Sequence, residues 1–240
     1  MASCYGDDGD GVQGGVDGVQ GMVGYEKVAH YLPISWTIQH MRLTSEGGEE
    51  VMEENCQLEI DFFRSQEERE VAMDLMNKEI ESGLSWPFEQ QFQDFSSFSR
   101  YFLSHSAFVV RVKNYKEKSE GFQSLVPHGL AGCFYVKPNF PGRCSHVCNG
   151  GFIVRKEVRG NGVGQRMGRA FLPLARDLGY LASFFNLVFV SNGVSDRMWQ
   201  KLGYTMVGVV PKVARLKGMQ ELVDAKQYYY DLTTVTDYQQ

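Results

Sequence analysis

The hexapeptide Arg159–Gly164, Arg-Gly-Asn-Gly-Val-Gly, decides the fold of this chain. It follows the apolar run Gly151–Val154 after four residues and directly precedes a run with helical periodicity from Gln165 to Leu178. A strand, a glycine-rich turn and a helix start in this order form an anion site. The glycines let successive backbone N–H groups converge, and the helix N-terminus adds positive potential. The sequence therefore predicts a ligand that carries a phosphate or pyrophosphate.

Two common phosphate-binding motifs are excluded by the residues around these glycines. A Walker loop needs Lys followed by Ser or Thr after its second glycine, and Gln165-Arg166 occupy that place. A dinucleotide-binding loop needs Gly-x-Gly-x-x-Gly near the start of a βαβ unit, whereas this chain has Gly160, Gly162 and Gly164 late in the sequence. These six residues alone are also compatible with an ordinary surface turn. The surrounding sequence distinguishes an anion-binding loop from such a turn.

The composition is that of an ordinary globular protein with one large domain or two small ones. The chain has 240 residues, of which 43% are hydrophobic and 22% charged, and its net charge is −5. Lys and Arg are scattered, which argues against a nucleic-acid partner, and no apolar run approaches the ~20 residues of a membrane helix. The sequence shows no secretory pattern. Its five cysteines argue against a disulfide framework, so we expect a cytoplasmic protein.

Changes in composition along the chain predict four segments. Residues 1–24 contain eight glycines and are expected to be a disordered tail. Residues 25–55 are expected to be an N-terminal extension, in which the alternating stretch Ile34–Leu43 predicts a strand. Residues 56–234 are predicted to form the main domain, and residues 235–240 a second tail.

The part of the chain before the glycine loop predicts strands and two helices. Ser65 with Glu68 three residues later is a capping box, and apolar residues at helical spacing continue from it to Gly83. The other predicted elements are an acidic loop at Glu46–Glu54, strands at Gln57–Phe63, Ala107–Val112, Leu130–Val136 and Cys148–Arg155, and an aromatic-rich helix at Phe88–Leu103.

The part after the loop alternates helices and strands. The first helix ends at Gly179, and the near-continuous apolar run Ala182–Val190 that follows is typical of a fully buried central strand. The remaining elements are a short helix through Trp199 to Leu202 and strands at Tyr204–Val210 and Gln227–Leu232.

Two blocks together resemble the GCN5-related N-acetyltransferase (GNAT) superfamily. The first is Arg159–Gly164, similar to the Arg-x-x-Gly-x-Gly loop that holds the pyrophosphate of acetyl-coenzyme A in that family. The second is Asn192 followed by Trp199-Gln-Lys-Leu-Gly-Tyr204. The resemblance implies an acetyl-CoA-dependent enzyme of the α/β class. Its central sheet would be mixed, mostly antiparallel and twisted, splayed between its fourth and fifth strands and flanked by helices.

A closer resemblance is to the azetidine-2-carboxylate N-acetyltransferases, which acetylate the ring nitrogen of proline analogues. It is carried by Tyr135–Phe152, Phe185–Val190, Val209–Pro211 and Val223–Ala225. It implies acetyl transfer to a small-molecule amine, a proline-like imino acid, by direct attack in a ternary complex. Proline-analogue detoxification and a homodimer follow from the same resemblance. Another amine, such as a polyamine, an amino acid or a protein N-terminus, stays open, as does a non-catalytic acyl-CoA-binding module.

The resemblance implies acetyl-CoA contacts in the strand before the loop, in the loop and after the buried strand. These residues are Phe152, Ile153, Val154, Arg159, Gly160, Asn161, Gly162, Val163, Gly164, Asn192 and Trp199. Backbone N–H groups of the strand would donate to the developing oxyanion, and Gly150-Gly151 would permit a bulge there, with a plain strand as the alternative. Asn192 would serve equally well as a helix cap. At Trp199 many family members have a tyrosine as general acid, and an indole releases no proton at working pH.

Two asparagines are the candidate catalytic and substrate-binding residues. Asn186 is a strongly polar side chain within an apolar strand, where an amide without partners costs about 1–3 kcal/mol. Alternation along a strand would place it on one face with Val188 and Asn192. The resemblance implies that Asn186 and Asn149 line the substrate cleft; a core Asn186 bonded to a neighbouring backbone is the alternative. An amide can orient an amine or polarise a thioester but is no base, and the sequence offers no base.

Arg143 and a cysteine–histidine cluster complete the candidates. Arg143 would hold the carboxylate of an amino-acid substrate, or would be a solvated loop residue. Cys144, His146 and Cys148 fall at every second position, but a structural zinc site needs four ligands and usually a Cys-x2-Cys pair. We therefore expect no metal.

Overall fold

The computed structural model describes residues 21–236, so residues 1–20 and 237–240 of the two predicted tails lie outside the described part of the chain. The strands are β1 Ile34–Thr44, β2 Glu50–Phe62, β3 Ser106–Val112, β4 Leu130–Pro138, β5 Val147–Val154, β6 Ala182–Phe189, β7 Thr205–Ala214 and β8 Val223–Asp231. The helices are α1 Tyr25–Val28, α2 Gln66–Ser82, α3 Phe95–Phe102, α4 Glu120–Leu125, α5 Val163–Asp177 and α6 Gly193–Lys201.

The eight strands form one mixed sheet in the order β1-β2-β3-β4-β5-β6-β8-β7. Neighbouring strands of residues 21–236 are antiparallel except for β5 and β6, which run parallel. This confirms the predicted α/β class and its mostly antiparallel sheet. β1 adds one strand at the edge, so the splay expected between the fourth and fifth strands falls between β5 and β6. No helix among the described residues is long and apolar enough to cross a membrane.

The N-terminal strands form a long hairpin that belongs to the same sheet. The chain turns over residues 45–49, and β2 begins at Glu50, so the acidic loop is shorter than the predicted Glu46–Glu54. Basic side chains of β1 approach acidic ones of β2, as in the directly opposed pair His40–Glu54 at 3.5 Å and the diagonal pair Arg42–Glu50 at 3.8 Å. Residue 55, where the sequence placed the end of the N-terminal extension, lies inside β2.

The two helices before β3 begin at capping residues. α2 begins at the predicted capping box, where Oγ of Ser65 accepts from the N–H of Glu68 at 3.3 Å, and it ends at Gly83 with φ of 66°. The second helix is shorter than predicted, because the side chain of Asp94 caps it and Phe95–Phe102 alone is helical. The residues between Gly83 and Asp94 therefore form a loop.

The core has one apolar layer on each face of the sheet. On one face, Met167 and Phe171 of α5 belong to one buried cluster with Phe134 of β4, and the Phe171 and Phe134 ring centroids lie 6.5 Å apart. On the other face, Met76 of α2 and Phe102 of α3 belong to a second buried cluster. Because each fully buried apolar side chain contributes about 1.5–3 kcal/mol, these two layers hold the central strands in fixed positions.

The sheet opens between β5 and β6. These strands pair at two positions, Val147 with Ala182 and Cys148 with Ser183. Beyond Cys148, β5 continues to pair with β4 while β6 continues to pair with β8. The separation of the two strands leaves a cleft in the middle of the sheet.

Candidate active site

The cleft between β5 and β6 is lined by both asparagines that the sequence singled out. Its walls come from the loop before α3, from α3, and from β4, β5, β6 and α6. Among the residues that line it are Trp86, Tyr101, Tyr135, Asn149, Gly150, Gly151, Phe152, Phe185, Asn186, Asn192 and Trp199. The structure thus brings five of the predicted site residues together: Asn149, Phe152, Asn186, Asn192 and Trp199.

The glycine loop has the geometry of an anion site. Gly160 and Gly162 have φ of 85° and 76°, a region that favours glycine, and Gly162 directly precedes α5. A Cβ added at either glycine would meet no described heavy atom within 4 Å, so the space beside the loop is open. The first N–H groups of α5 have no partner within the helix and add positive potential. These features fit the pyrophosphate of acetyl-CoA.

The side chains of Arg159 and Asn161 are held by other parts of the protein. Nε of Arg159 donates to the carbonyl of Val154 at 3.1 Å, and its guanidinium forms an ion pair with Glu79 of α2. Asn161 forms two hydrogen bonds with the backbone of Arg42 in β1. Nδ2 donates to the carbonyl at 2.6 Å, and Oδ1 accepts from the N–H at 2.9 Å. These contacts fasten the loop to α2 and β1.

Gly150 and Gly151 lie in a regular part of β5, so of the two alternatives the plain strand is present and the bulge is not. The pairing of β5 with β4 continues through both glycines without a register shift. A Cβ at Gly151 would lie 2.4 Å from Cη2 of Trp86 and 2.5 Å from Cε1 of Tyr135. A Cβ at Gly150 would lie 2.6 Å from Cε2 of Phe171. Glycine is required here because aromatic rings pack directly against the strand.

The N–H groups of β5 alternate between β4 and the cleft. The N–H of Arg155, directly after β5, donates to a carbonyl of β4 at 2.9 Å. The N–H of Gly150 instead donates to the side chain of the residue before it at 2.8 Å. Alternation along the strand therefore directs the N–H groups of Phe152 and Val154 towards the cleft and that of Ile153 towards β4. Of the three strand residues predicted to contact acetyl-CoA, two thus direct their N–H groups to the opening.

Asn186 is paired with a third asparagine. Nδ2 of Asn139, directly after β4, donates to Oδ1 of Asn186 at 3.0 Å, and Nδ2 of Asn186 donates to Oδ1 of Asn139 at 2.5 Å. β6 bulges at this point, because Phe185 and Val188 pair with residues that are two apart on β8. The predicted alternation of Asn186 with Val188 is therefore interrupted.

Asn192 and Trp199 both support α6. Oδ1 of Asn192 accepts from the N–H of Ser195 at 3.1 Å, so the helix-cap role proposed from the sequence is present. Trp199 is 5% exposed, and its ring lies against Phe152, with centroids 5.0 Å apart, and Phe185, at 4.4 Å. Trp199 is therefore a core residue that contributes to the cleft wall.

Arg143 lies apart from the cleft. It occupies the exposed turn Gly142–Cys144 and is not among the residues that line the opening. Cys144 is exposed in this turn whereas Cys148 is buried in β5, so the two do not share a strand face. Within residues 21–236, no group of three or more His, Cys, Asp or Glu side chains could hold a metal ion.

Comparison with known proteins assigns the chain to a family. Residues 77–204, from within α2 to directly before β7, match the acetyltransferase (GNAT) family. The chain is also 35% identical to N-acetyltransferase aca1 of Schizosaccharomyces pombe over 165 residues. This aligned region spans 68% of this chain and 79% of that protein. This chain belongs to the GNAT family. It is accordingly an acetyl-CoA-dependent acyltransferase.

Other relatives share part of the sequence or the GNAT fold. Protein SPT10 of Saccharomyces cerevisiae is 34% identical over 105 residues, which span 44% of this chain and 16% of that protein. A GCN5-related N-acetyltransferase from Kribbella flavida has a TM-score of 0.61 at 19% identity, covering 72% of this chain and 97% of its own. The structure of yncA from Salmonella typhimurium with its cofactor acetyl-CoA has a TM-score of 0.60 at 13% identity, covering 75% and 96%. At these identities the two structures support the fold alone.

A lysine that sequence reasoning missed lies beside this cleft, in contact with two tyrosines that line it. Nζ of Lys137 in β4 lies 3.7 Å from the ring centroid of Tyr101 and 4.5 Å from that of Tyr135, and it donates to the carbonyl of Tyr101 at 3.1 Å. The hydroxyls of the two tyrosines are 3.0 Å apart. Burial lowers the pKa of Lys137 to about 8. Lys137 also pairs across the sheet with Asn149 of β5.

The sequence carried a weak signal for this cluster. Tyr135 and Lys137 alternate along a strand whose other residues are mostly apolar, and a lysine there is unusual. Nothing in the sequence indicates that Tyr101, on α3, packs against both.

Proposed function

We propose that this GNAT enzyme acetylates a small-molecule amine, a proline-like imino acid of the azetidine-2-carboxylate type. One observation carries the proposal. Asn149 and Asn186, the residues that the resemblance to the azetidine-type enzymes assigns to the substrate, line the same cleft where β5 and β6 separate. Transfer needs a neutral amine near the thioester carbon, donors for the oxyanion and departure of the thiolate.

The coenzyme side of the reaction would be supplied by β5, the glycine loop and α6. The backbone of Gly160–Gly164 and the first turn of α5 would hold the pyrophosphate. The N–H groups of Phe152 and Val154 would donate to the coenzyme, and Asn192 would contribute from the start of α6. When bound, acetyl-CoA supplies the activated acetyl group.

The acceptor side would be supplied by the asparagines. Mutual hydrogen bonds with Asn139 hold the Asn186 amide in one orientation, so that it can position the amine against the coenzyme. Trp199 is buried among aromatic rings and cannot release a proton, so it does not replace the missing tyrosine acid. Catalysis would therefore rest on positioning and oxyanion donors.

The proposal is tested by incubating the purified chain with acetyl-CoA and azetidine-2-carboxylate. Release of free thiol, measured against a reaction without amine, and formation of the N-acetyl product by mass spectrometry are expected. Thiol release with polyamines but not with imino acids would exclude the imino-acid substrate. Coenzyme binding without release across a panel of imino acids, amino acids, polyamines and N-terminal peptides would identify a binding module instead. Growth of sensitive cells on azetidine-2-carboxylate tests the detoxification role.

A further inference from the structure

The ammonium group of Lys137 is a partly buried charge without a carboxylate partner among the described residues. Its contacts are the carbonyl of Tyr101 and the faces of the Tyr101 and Tyr135 rings. Ring faces attract cations, but a buried charge normally requires an opposite charge as well. His105, the nearby titratable group on the turn after α3, has its pKa lowered by burial and by the charge of Lys137, which favours the neutral imidazole; a neutral ring is no counter-charge.

This charge lies directly behind one wall of the cleft. Tyr101, Tyr135 and Asn149 line that wall, which we call the tyrosine wall, and Lys137 contacts both tyrosine rings and pairs with Asn149 across the sheet. Cζ of Tyr135 lies 2.7 Å from where a Cβ of Gly151 would be, so the phenol end of the ring reaches β5 at the splay. The positive charge therefore acts on the part of the cleft beside Asn149, where the acceptor is proposed to bind.

We propose that Lys137 and the hydroxyls of Tyr101 and Tyr135 form a subsite for a carboxylate on the acceptor molecule. The lysine supplies the charge, and the rings of Tyr101 and Tyr135, which line the cleft, contact it. Their hydroxyls hydrogen-bond to each other at 3.0 Å, so at most one of the two O–H groups donates to the carboxylate. The subsite takes the role that the sequence gave to Arg143, which lies outside the cleft. This inference rests on the proposed acetyltransferase function and narrows its acceptor to amines that carry a carboxylate. An amino or imino acid is favoured as the acceptor. A polyamine is disfavoured because its second ammonium would be repelled by the ammonium of Lys137.

The test compares two acceptors that differ by the carboxylate alone, azetidine-2-carboxylate and azetidine. In Lys137→Met, the KM for azetidine-2-carboxylate should rise at least about tenfold, while the KM for azetidine stays the same or falls. Tyr135→Phe, which keeps the ring but removes one hydroxyl, should raise the KM for azetidine-2-carboxylate by a smaller factor. Lys116→Met, at an exposed lysine in the β3–β4 connection, is the matched control and should change neither value.

The outcomes of the test distinguish failure of the carboxylate subsite from failure of the proposed function. Affinity for coenzyme A, measured by calorimetry, should match that of the unchanged protein in every variant and shows that the variant is folded. Equal changes of KM for both acceptors in Lys137→Met would overturn the carboxylate subsite while leaving acetyl transfer intact. If neither acceptor is acetylated, the proposed function fails. Binding of N-acetylazetidine-2-carboxylate to the coenzyme-A complex then decides the subsite: loss of binding in Lys137→Met supports it, and unchanged binding overturns it.

Discussion

The side-chain amides of Asn139 and Asn186 hydrogen-bond to each other in both directions, between the end of β4 and the bulge of β6. Each amide has two N–H donors and two acceptor positions, so the pair leaves each with capacity for one more partner of each kind. Asn186 lines the cleft, and these two bonds fix the orientation of its amide before any ligand binds. Asn186 is therefore a preorganised polar group on a mostly apolar strand.

Asn186→Ala should lower kcat about 100-fold, because it removes a group that positions the reacting atoms. The affinity for coenzyme A should change less than about threefold, since the glycine loop is untouched. Steady-state kinetics and calorimetry measure the two quantities. Asn139→Ala is the graded comparison: it keeps the Asn186 amide but frees its rotation, so a loss of about tenfold is expected. Equal losses of turnover and coenzyme affinity in Asn186→Ala would make this residue structural.

Asn161→Ala should weaken coenzyme affinity about tenfold and lower the free energy of unfolding by about 1–2 kcal/mol. The side chain of Asn161 bonds the backbone of Arg42, so its removal releases the glycine loop from β1. Arg42→Ala is the matched control, because it keeps both backbone bonds and loses an exposed ion pair with Glu50 of little value. Calorimetry and urea unfolding measure the effects. Equal losses in both variants would show that the bonds to the backbone do not hold the loop.

Features encoded by neighbouring residues could be predicted from the sequence. The glycine loop, the capping box at Ser65 and the buried strand β6 each depend on residues within a few positions of one another. Cleft residues such as Asn149 and Asn186 were found through the family resemblance. The bulge at Asn186 was missed because it depends on how β6 pairs with β8, which a strand pattern does not specify.

Contacts between distant segments could not be predicted. Asn139 and Asn186 are 47 residues apart, Lys137 and Tyr101 are 36 apart, and Asn161 and Arg42 are 119 apart. Such pairs become neighbours through the order of the strands and the packing of α3, which follow from tertiary structure. The same reason explains why β1 was assigned to an extension, although its backbone at Arg42 holds the glycine loop.

Gly151→Ala should lower stability by about 1–3 kcal/mol and raise the KM for the acceptor. The added methyl group would meet Trp86 and Tyr135 at 2.4 and 2.5 Å, so both rings have to move away from β5. Tyr135 belongs to the tyrosine wall, so this movement changes the acceptor side of the cleft. Gly121→Ala, within α4, is the control. Its added methyl group would lie 3.4 Å from Cγ2 of Val51, which is an ordinary contact distance. Thermal unfolding measures the stability of both variants, and steady-state kinetics measures their KM for the acceptor. Equal stability and equal KM in the two variants would contradict the packing argument.

The stability of the ligand-free protein should depend on pH through Lys137. Burial lowers the pKa of this ammonium from an ordinary 10.5 to about 8. Between these values the unfolded chain keeps the proton that the folded chain has released, so the free energy of unfolding should rise with pH over this range. Below about pH 8 both states are protonated, and the folded state carries the full cost of the buried charge. Urea unfolding between pH 7 and 10.5 measures the slope.

Lys137→Met separates this slope from other titrations. Tyr101, Tyr135 and His105 face Lys137 and remain in the variant, so the difference between the two stability profiles isolates the lysine. At pH 7 the variant should be more stable by about 2 kcal/mol, because it no longer buries an ammonium. This difference should shrink as the pH rises above 8. If Lys137 binds the acceptor at a cost in stability, Lys137→Met should be more stable than the unchanged protein and should have a higher KM for the carboxylate acceptor. A constant difference between the two profiles would show that Lys137 titrates at its ordinary value.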